Sequence, residues 1–487
     1  MFKENQHSEV LIIGAGMSGI CMGIQLLRSN IDNFVILDKA NDVAGTWHYN
    51  TYPGSGCDVR SALYSYSFNL NPNWSTMFSL HDEIKDYFRE CVQKYKLDKH
   101  IQLSTEVLSA NFDEAANIWR VTLADNTERT CRYLISGLGQ LNVPYIPEFK
   151  GFENFQGTAF HSARWNHDIE LDNKNISVIG NAASALQFIP HIVKQAKTIN
   201  VFQRSPNYVI PRNDRPYSKL EKKLFKFFPL LQRLHRFWIF LRQEMFYGVI
   251  ANKKISQRML TNEFKRFISE HITNQDLIQK LTPSYPIGCK RILVSDNYYQ
   301  AMNQPNLDLV VDPIASITDK EVVTQDGSKY ECDVLIFATG FKTNELLSPV
   351  NFNGRNNISL ESAWKTGAES YKGVCMKGFP NLFMLYGPNT NLGSNSIIYM
   401  VEQQVNFIIK CIKKVSNANL TRIEIKEEVF DAYNQKIQKD MLKTVWLASC
   451  ESWYKNKEGK VVNNWPNSPT SYYFHMKFPN FSHFHIN

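Results

Sequence analysis

Gly14, Gly16 and Gly19 stand at GxGxxG spacing with Ser18 inside the turn, and Asp38 follows some 20 residues on. Each has a use. Gly14 permits a tight turn, Gly16 lets backbone N–H groups approach a pyrophosphate, and Gly19 lets a helix pack closely on a strand. The Asp38 carboxylate is placed to accept from a ribose hydroxyl. A second turn, Gly180-Asn181-Ala182-Ala183-Ser184-Ala185, keeps only the first glycine. Ala185 is tolerated at the third place, whereas the methyl of Ala182 would stand where a pyrophosphate comes closest. Arg204 and Ser205 close the next apolar run, and a guanidinium there offers a bidentate match to a 2′-phosphate, favouring NADPH over NADH. The chemistry implied is the holding of two dinucleotides.

The elements that must position these residues are legible around them. Val10–Ile13 is a continuous apolar run before the first turn, a helical pattern leads from it to Arg28, and Phe34–Leu37 leads to Asp38. Ile176–Ile179 and Val201–Gln203 flank the second turn in the same way. A helix is expected over Asp82–Tyr95, antiparallel strands over Ile101–Phe112 and Trp119–Leu123, and buried strands over Arg132–Gly137 and Asp333–Phe341. Another helix is expected over Ser396–Lys414, and the pattern from Tyr217 to Ile287 is helical. The fold class is α/β, with two Rossmann-like dinucleotide-binding domains and a helical insertion.

At 487 residues and 43% hydrophobic content the chain can bury at least two cores. The net charge of +8 is local: between Arg215 and Arg258 eleven basic residues face only Glu221 and Glu244. No nucleic-acid-binding motif accompanies them, so a nucleic-acid partner is not expected. No apolar run is long enough to span a bilayer, and a weak peripheral membrane contact through 215–258 is the second reading of that segment. The nine cysteines are scattered, without CxxC, and read neither as a disulfide framework nor as a zinc site. His475, His483 and His485 lack acids or cysteines at ligand spacing, so no metal is expected. The polar start, Met1 to His7, runs straight into the first strand and leaves no room for a signal peptide; a cytoplasmic location is the expectation.

Several segments carry a family resemblance. Ala44-Gly45-Thr46-Trp47, then Asn50-Thr51-Tyr52-Pro53-Gly54 and Cys57-Asp58, resemble the flavin monooxygenase superfamily, in which this stretch wraps FAD. Phe155-Gln156-Gly157-Thr158-Ala159-Phe160-His161-Ser162-Ala163-Arg164-Trp165-Asn166 resembles the fingerprint FxGxxxHxxxW of its Baeyer–Villiger monooxygenase branch. Trp165 favours that branch over the flavin-containing monooxygenases, and Asn166 departs from the usual Pro or Asp. Cys289-Lys290-Arg291 with Tyr298-Tyr299, Cys450-Glu451-Ser452-Trp453-Tyr454 and Asn464-Trp465-Pro466 extend the likeness nearly to the end of the chain.

The resemblance implies FAD and NADPH as cofactors, and a small carbonyl substrate and O2 as partners. Oxygen would add to reduced flavin as a C4a-peroxyflavin that converts a ketone or aldehyde to an ester or lactone. It makes Arg291 the active-site arginine, Asp58 its neighbour, and His161 part of a functional linker at a domain junction. Thr46, Trp47, Asp58, Tyr64 and Val107 fall among its flavin contacts, and Lys290 would reach toward the NADP phosphate. It divides the chain into FAD-binding residues 1–145 and 341–487, NADPH-binding residues 146–214 and 288–340, and an insertion, 215–287, lining the substrate entrance. Alternatives are nitrogen or sulfur oxygenation, which needs no arginine for a peroxide anion, and an FAD-binding module or uncoupled NADPH oxidase. Substrate, oligomeric state and the role of the aromatic, His-rich tail stay open.

Overall fold

The computed structural model describes residues 7–343, 346, 347, 349–448, 450 and 452–487. Met1 to Gln6, part of the polar start, and Glu451 of the SerTrpTyr segment lie outside the described residues.

Strand β1 (His7–Ile13) runs into helix α1 (Met17–Arg28) and strand β2 (Phe34–Leu37). Helix α2 (His81–Lys94) follows, then β3 (Ile101–Gln102), β4 (Val107–Asp113), β5 (Ile118–Leu123) and β6 (Glu128–Ser136). The second unit holds β7 (Thr158–His161), β8 (Asn175–Ile179), α3 (Ala183–Ile192) and β9 (Thr198–Phe202). The insertion carries α4 (Lys219–Phe227), α5 (Pro229–Met245) and α6 (Lys254–His271). Strands β10 (Leu307–Val310) and β11 (Val334–Phe337) complete the second unit. Strands β12 (Asn351–Asn353) and β13 (Leu382–Met384), then α7 (Ile397–Asn417) and α8 (Pro469–Lys477), return to the first.

The first sheet has the order β12-β4-β5-β6-β1-β2-β3, with β13 also paired to β6. Its β13, β6, β1, β2 and β3 are parallel neighbours, and β4, β5 and β6 add antiparallel pairs at one side. The second sheet, β10-β9-β8-β11-β7, is parallel throughout. Strands covered on both faces favour near-continuous apolar runs: Val10 to Ile13 are all apolar and buried, and Ile176 to Ile179 are all buried with Ser177 the one polar member.

One expected strand is two. Ile101–Gln102 pairs with β2, but Ser104 adopts a left-handed backbone (φ 51°) and the next amides turn aside, Ser104 N–H donating to Ala40 and Thr105 N–H to Asp38. That break frees Val107 to start an antiparallel strand. The aromatic tail has a structural place: Phe484–Ile486 pairs antiparallel with Ile423–Ile425, and His483 bonds the Tyr371 hydroxyl (2.8 Å). The reading of unpaired cysteines needs a correction, because Cys289 and Cys450, 161 residues apart, form a disulfide. Sequence spacing gave no hint of it, since the fold alone brings the Lys290-Arg291 loop and the C-terminal loop together. The other seven cysteines are free and buried.

Candidate active site

The two glycine turns are built alike from different sequence. Gly14 has φ 106° and a Cβ there would lie 2.6 Å from the Gly137 carbonyl oxygen; Gly180 has φ 102° and a Cβ would lie 2.5 Å from Ala338 oxygen. Both positions therefore require glycine. At the second place Gly16 (φ −76°, ψ −172°) and Ala182 (φ −88°, ψ −158°) share one extended conformation. Any residue can adopt it. Ala182 thus leaves the backbone of the turn intact, and the residue lines the cavity that the turn faces.

That cavity has a volume of about 870 Å³ and is walled by both turns, a size suited to small-molecule ligands. Of the residues expected to bind cofactor or act in catalysis, Gly14, Gly16, Ser18, Asp38, Thr46, Trp47, Asp58, Tyr64, Val107, Gly180, Ala182, Ser184, Arg204, Ser205, Lys290 and Arg291 all line it. Gly19 and Ala185 stand behind their turns and serve helix packing. His161 stays outside the cavity wall. So does the insertion: no residue of 215–287 is among those lining the cavity.

Polar ligands fit this wall. Helices α1, α3 and α7 each begin at it without a side-chain cap, whereas Ser218 and Ser468 cap α4 and α8. Their first N–H groups, carrying the positive end of the helix dipole, are left to a bound anion or acceptor. Gln140 Oε1, Asn142 Oδ1 and Asn395 Nδ2 are buried without partners among the described residues, and all three residues line the cavity. Asp38 accepts from Ala15 N–H (2.6 Å) and Ala40 N–H (2.8 Å), one on each oxygen, and a carboxylate has further lone pairs for a ribose.

At the junction of the two halves, Arg291 Nε and Nη2 both donate to Asp58 Oδ2 at 2.8 and 2.6 Å. The Asp58 charge holds the guanidinium pKa above its ordinary value despite burial. Because one carboxylate oxygen takes both bonds, Arg291 Nη1 has no hydrogen-bond partner among the described residues. Lys290 Nζ donates to Ser205 Oγ (2.7 Å), so the loop carrying Arg291 also supplies a cation beside the Arg204-Ser205 corner.

Residues 11–221 match the pyridine nucleotide-disulphide oxidoreductase family. A Baeyer–Villiger monooxygenase of Pseudomonas aeruginosa is 38% identical over 95% of this chain and 88% of its own length. The chain belongs to the Baeyer–Villiger monooxygenase family. Cyclohexanone monooxygenase from Rhodococcus sp. Phi1 bound to NADP+ superposes with a TM-score of 0.90 at 26% identity, covering 99% of both chains. A structure described as OTEMO in complex with FAD and NADP superposes at 0.89, with 25% identity and full coverage of both.

The segment around His161 is held by packing. Trp165 lies against Phe188 of α3 (5.2 Å between rings), and the Arg164 guanidinium sits 4.0 Å above the ring of Tyr49, a cavity residue. His161 Nδ1 accepts from Ala163 N–H (3.0 Å) and fixes the turn that aims both. Burial lowers its pKa from 6.5 to about 4. Between those values the unfolded chain takes up a proton and the folded chain does not. Stability therefore rises with pH across this window and falls on acidification by up to about 3 kcal/mol. Melting temperatures from pH 7 to 4 are expected to fall less steeply for His161→Phe; parallel curves would count against a neutral imidazole.

Gln187 was not foreseen. From α3 it accepts from Tyr52 hydroxyl (2.9 Å) and Gly56 N–H (3.3 Å) and donates to Gly56 carbonyl (2.9 Å). Nothing in its spacing marks it, because its partners come from 131 and 135 residues away.

Proposed function

We propose that this monooxygenase uses FAD and NADPH to convert a ketone or aldehyde, with O2, to an ester or lactone. The observation that carries the reading is the Arg291–Asp58 pair at the meeting point of the two nucleotide turns. FAD, when bound, supplies hydride acceptance and oxygen activation, and the chain supplies binding, orientation and charge. The Gly14 to Gly19 turn, the α1 N-terminus and Asp38 hold the adenine dinucleotide half of FAD, with Thr46, Trp47, Tyr64 and Val107 along it. Trp47 Nε1 donates to Tyr64 hydroxyl (3.2 Å), so the two aromatic walls hold each other in place.

The Gly180 to Ala185 turn and the α3 N-terminus receive NADPH, and Arg204, Ser205 and Lys290 face its 2′-phosphate. Asp58 aims Arg291 and keeps its charge permanent, so that a guanidinium is preorganised where negative charge develops on oxygen. Nitrogen or sulfur oxygenation makes no use of that charge.

Arg204→Ala is expected to raise the KM for NADPH by roughly ten- to a hundredfold, the worth of one charge-assisted contact, with little change for NADH. Steady-state kinetics with both cofactors checks this. An unchanged ratio would remove Arg204 from the phosphate site.

A further inference from the structure

We infer that the outer face of the α4–α5 hairpin docks this enzyme on an anionic lipid bilayer. Helix α5 has two distinct faces. The inner one is seated: Gln232 donates to Asn71 carbonyl (2.6 Å), Arg236 Nη1 donates to the carbonyls of Ala62 (2.7 Å) and Leu63 (3.1 Å), and Ile239 is buried. The outer one is bare. Leu230, Leu234, Phe237, Trp238, Leu241 and Met245 recur at helical spacing and all are exposed, Leu230, Trp238 and Met245 to about two thirds or more. Leu220 and Phe227 of α4, with Phe228 between the helices, are similarly exposed. An array of large apolar side chains in water on this scale marks an interaction surface.

Charge selects the occupant. Lys219, Lys223, Lys226 and Arg233 are exposed on the same two helices, and no ion pair among the described residues engages them. The acids of the hairpin are occupied: Glu221 pairs with Arg215, and Glu244 accepts from Thr470 N–H. Aromatic and aliphatic side chains mixed with lysines and arginines suit the boundary between acyl chains and anionic headgroups. No helix among the described residues is long and apolar enough to cross a membrane, so the contact lies in the plane of the surface. A second copy of this chain would cover the apolar stripe but would set the same cations against one another.

The test is co-sedimentation of the FAD-loaded enzyme with vesicles of phosphatidylcholine alone or mixed with phosphatidylglycerol. Binding to the mixed vesicles only, weakened by salt, is expected. Reversal of Lys219, Lys223 and Lys226 to Glu is expected to lower it on the order of a hundredfold with flavin content and melting temperature retained. Trp238→Phe should stay bound but lose part of the tryptophan quenching by brominated acyl chains. No binding to anionic vesicles at low salt, or quenching unaltered in Trp238→Phe, would overturn the proposal. So would a wild-type dimer that Trp238→Glu dissociates without any effect of lipid. Should the lysine variant fail to fold, the salt dependence and Trp238→Phe quenching decide the question.

Discussion

Replacing Arg291 by Ala is expected to abolish ester formation while NADPH still bleaches the flavin absorbance under anaerobic conditions. The two outcomes separate because Arg291 lies at the meeting of the nucleotide sites yet belongs to neither turn. In the proposed assignment the adenine end of FAD rests on Gly14 to Asp38 and the NADPH phosphate on Arg204, Ser205 and Lys290, residues that line one cavity. Removing one preorganised donor from an oxyanion site costs about a hundred- to a thousandfold, and removing a full positive charge costs at least the upper end of that range. The variant also strands the Asp58 carboxylate, so Arg291→Lys is the informative companion. It keeps a charge for Asp58 but loses the planar fork, and should retain a small fraction of the activity. Product analysis by gas chromatography with a simple cyclic ketone, beside stopped-flow reduction, reads both outcomes. Ester formed at the wild-type rate would strip Arg291 of its role while leaving the carbonyl chemistry in place.

Gly19→Ala should be nearly as damaging, for a different reason. A Cβ at Gly19 would overlap the Gly14 carbonyl oxygen, which belongs to the turn itself and cannot swing away as a side chain could. Helix α1 would have to lift from β1, opening the first core and tilting the N-terminus that faces the cavity. Overpacking a core costs about 1 to 3 kcal/mol, and a clash with backbone lies at or beyond the top of that range. The expected result is an enzyme that retains little FAD and melts well below the wild type. The second unit provides the control: Ala185 occupies the corresponding place and is fully buried there, so a methyl is already accommodated. Full flavin content with an unchanged melting temperature would mean that the first turn relaxes as the second has done.

These two positions also show what the amino-acid order discloses. The glycine turns, Asp38, Arg204 and the apolar strands beside them were legible because their constraints are local: a φ value, a close approach or a burial pattern is written within a few neighbouring residues. The Arg291–Asp58 contact was reached through resemblance, since the partners are 233 residues apart. Gln187, the disulfide between Cys289 and Cys450, and the pairing of Phe484–Ile486 with Ile423–Ile425 were not legible at all. Each depends on which loops the folded sheets bring together. Amphipathic pattern showed that 215–287 is helical but not which way it faces. On α5 the polar Gln232 and Arg236 face inward and the apolar stripe faces outward, which only their contacts reveal.

Gln187 ties the helix behind the second glycine turn to the loop that carries Asp58. It stands one turn beyond Ser184, on the helix whose first residues line the cavity, and bonds both backbone groups of Gly56, two residues before Asp58 on the same cavity. A displacement of α3 that improves its fit to NADPH must carry the Asp58 loop along or break those bonds. Whatever factor NADPH binding adds to the affinity of the flavin half, the flavin must return to NADPH in equal measure, because linkage between two sites is reciprocal. The order in which the cofactors load is then a matter of rates, and the energy of the doubly loaded enzyme is the same by either route.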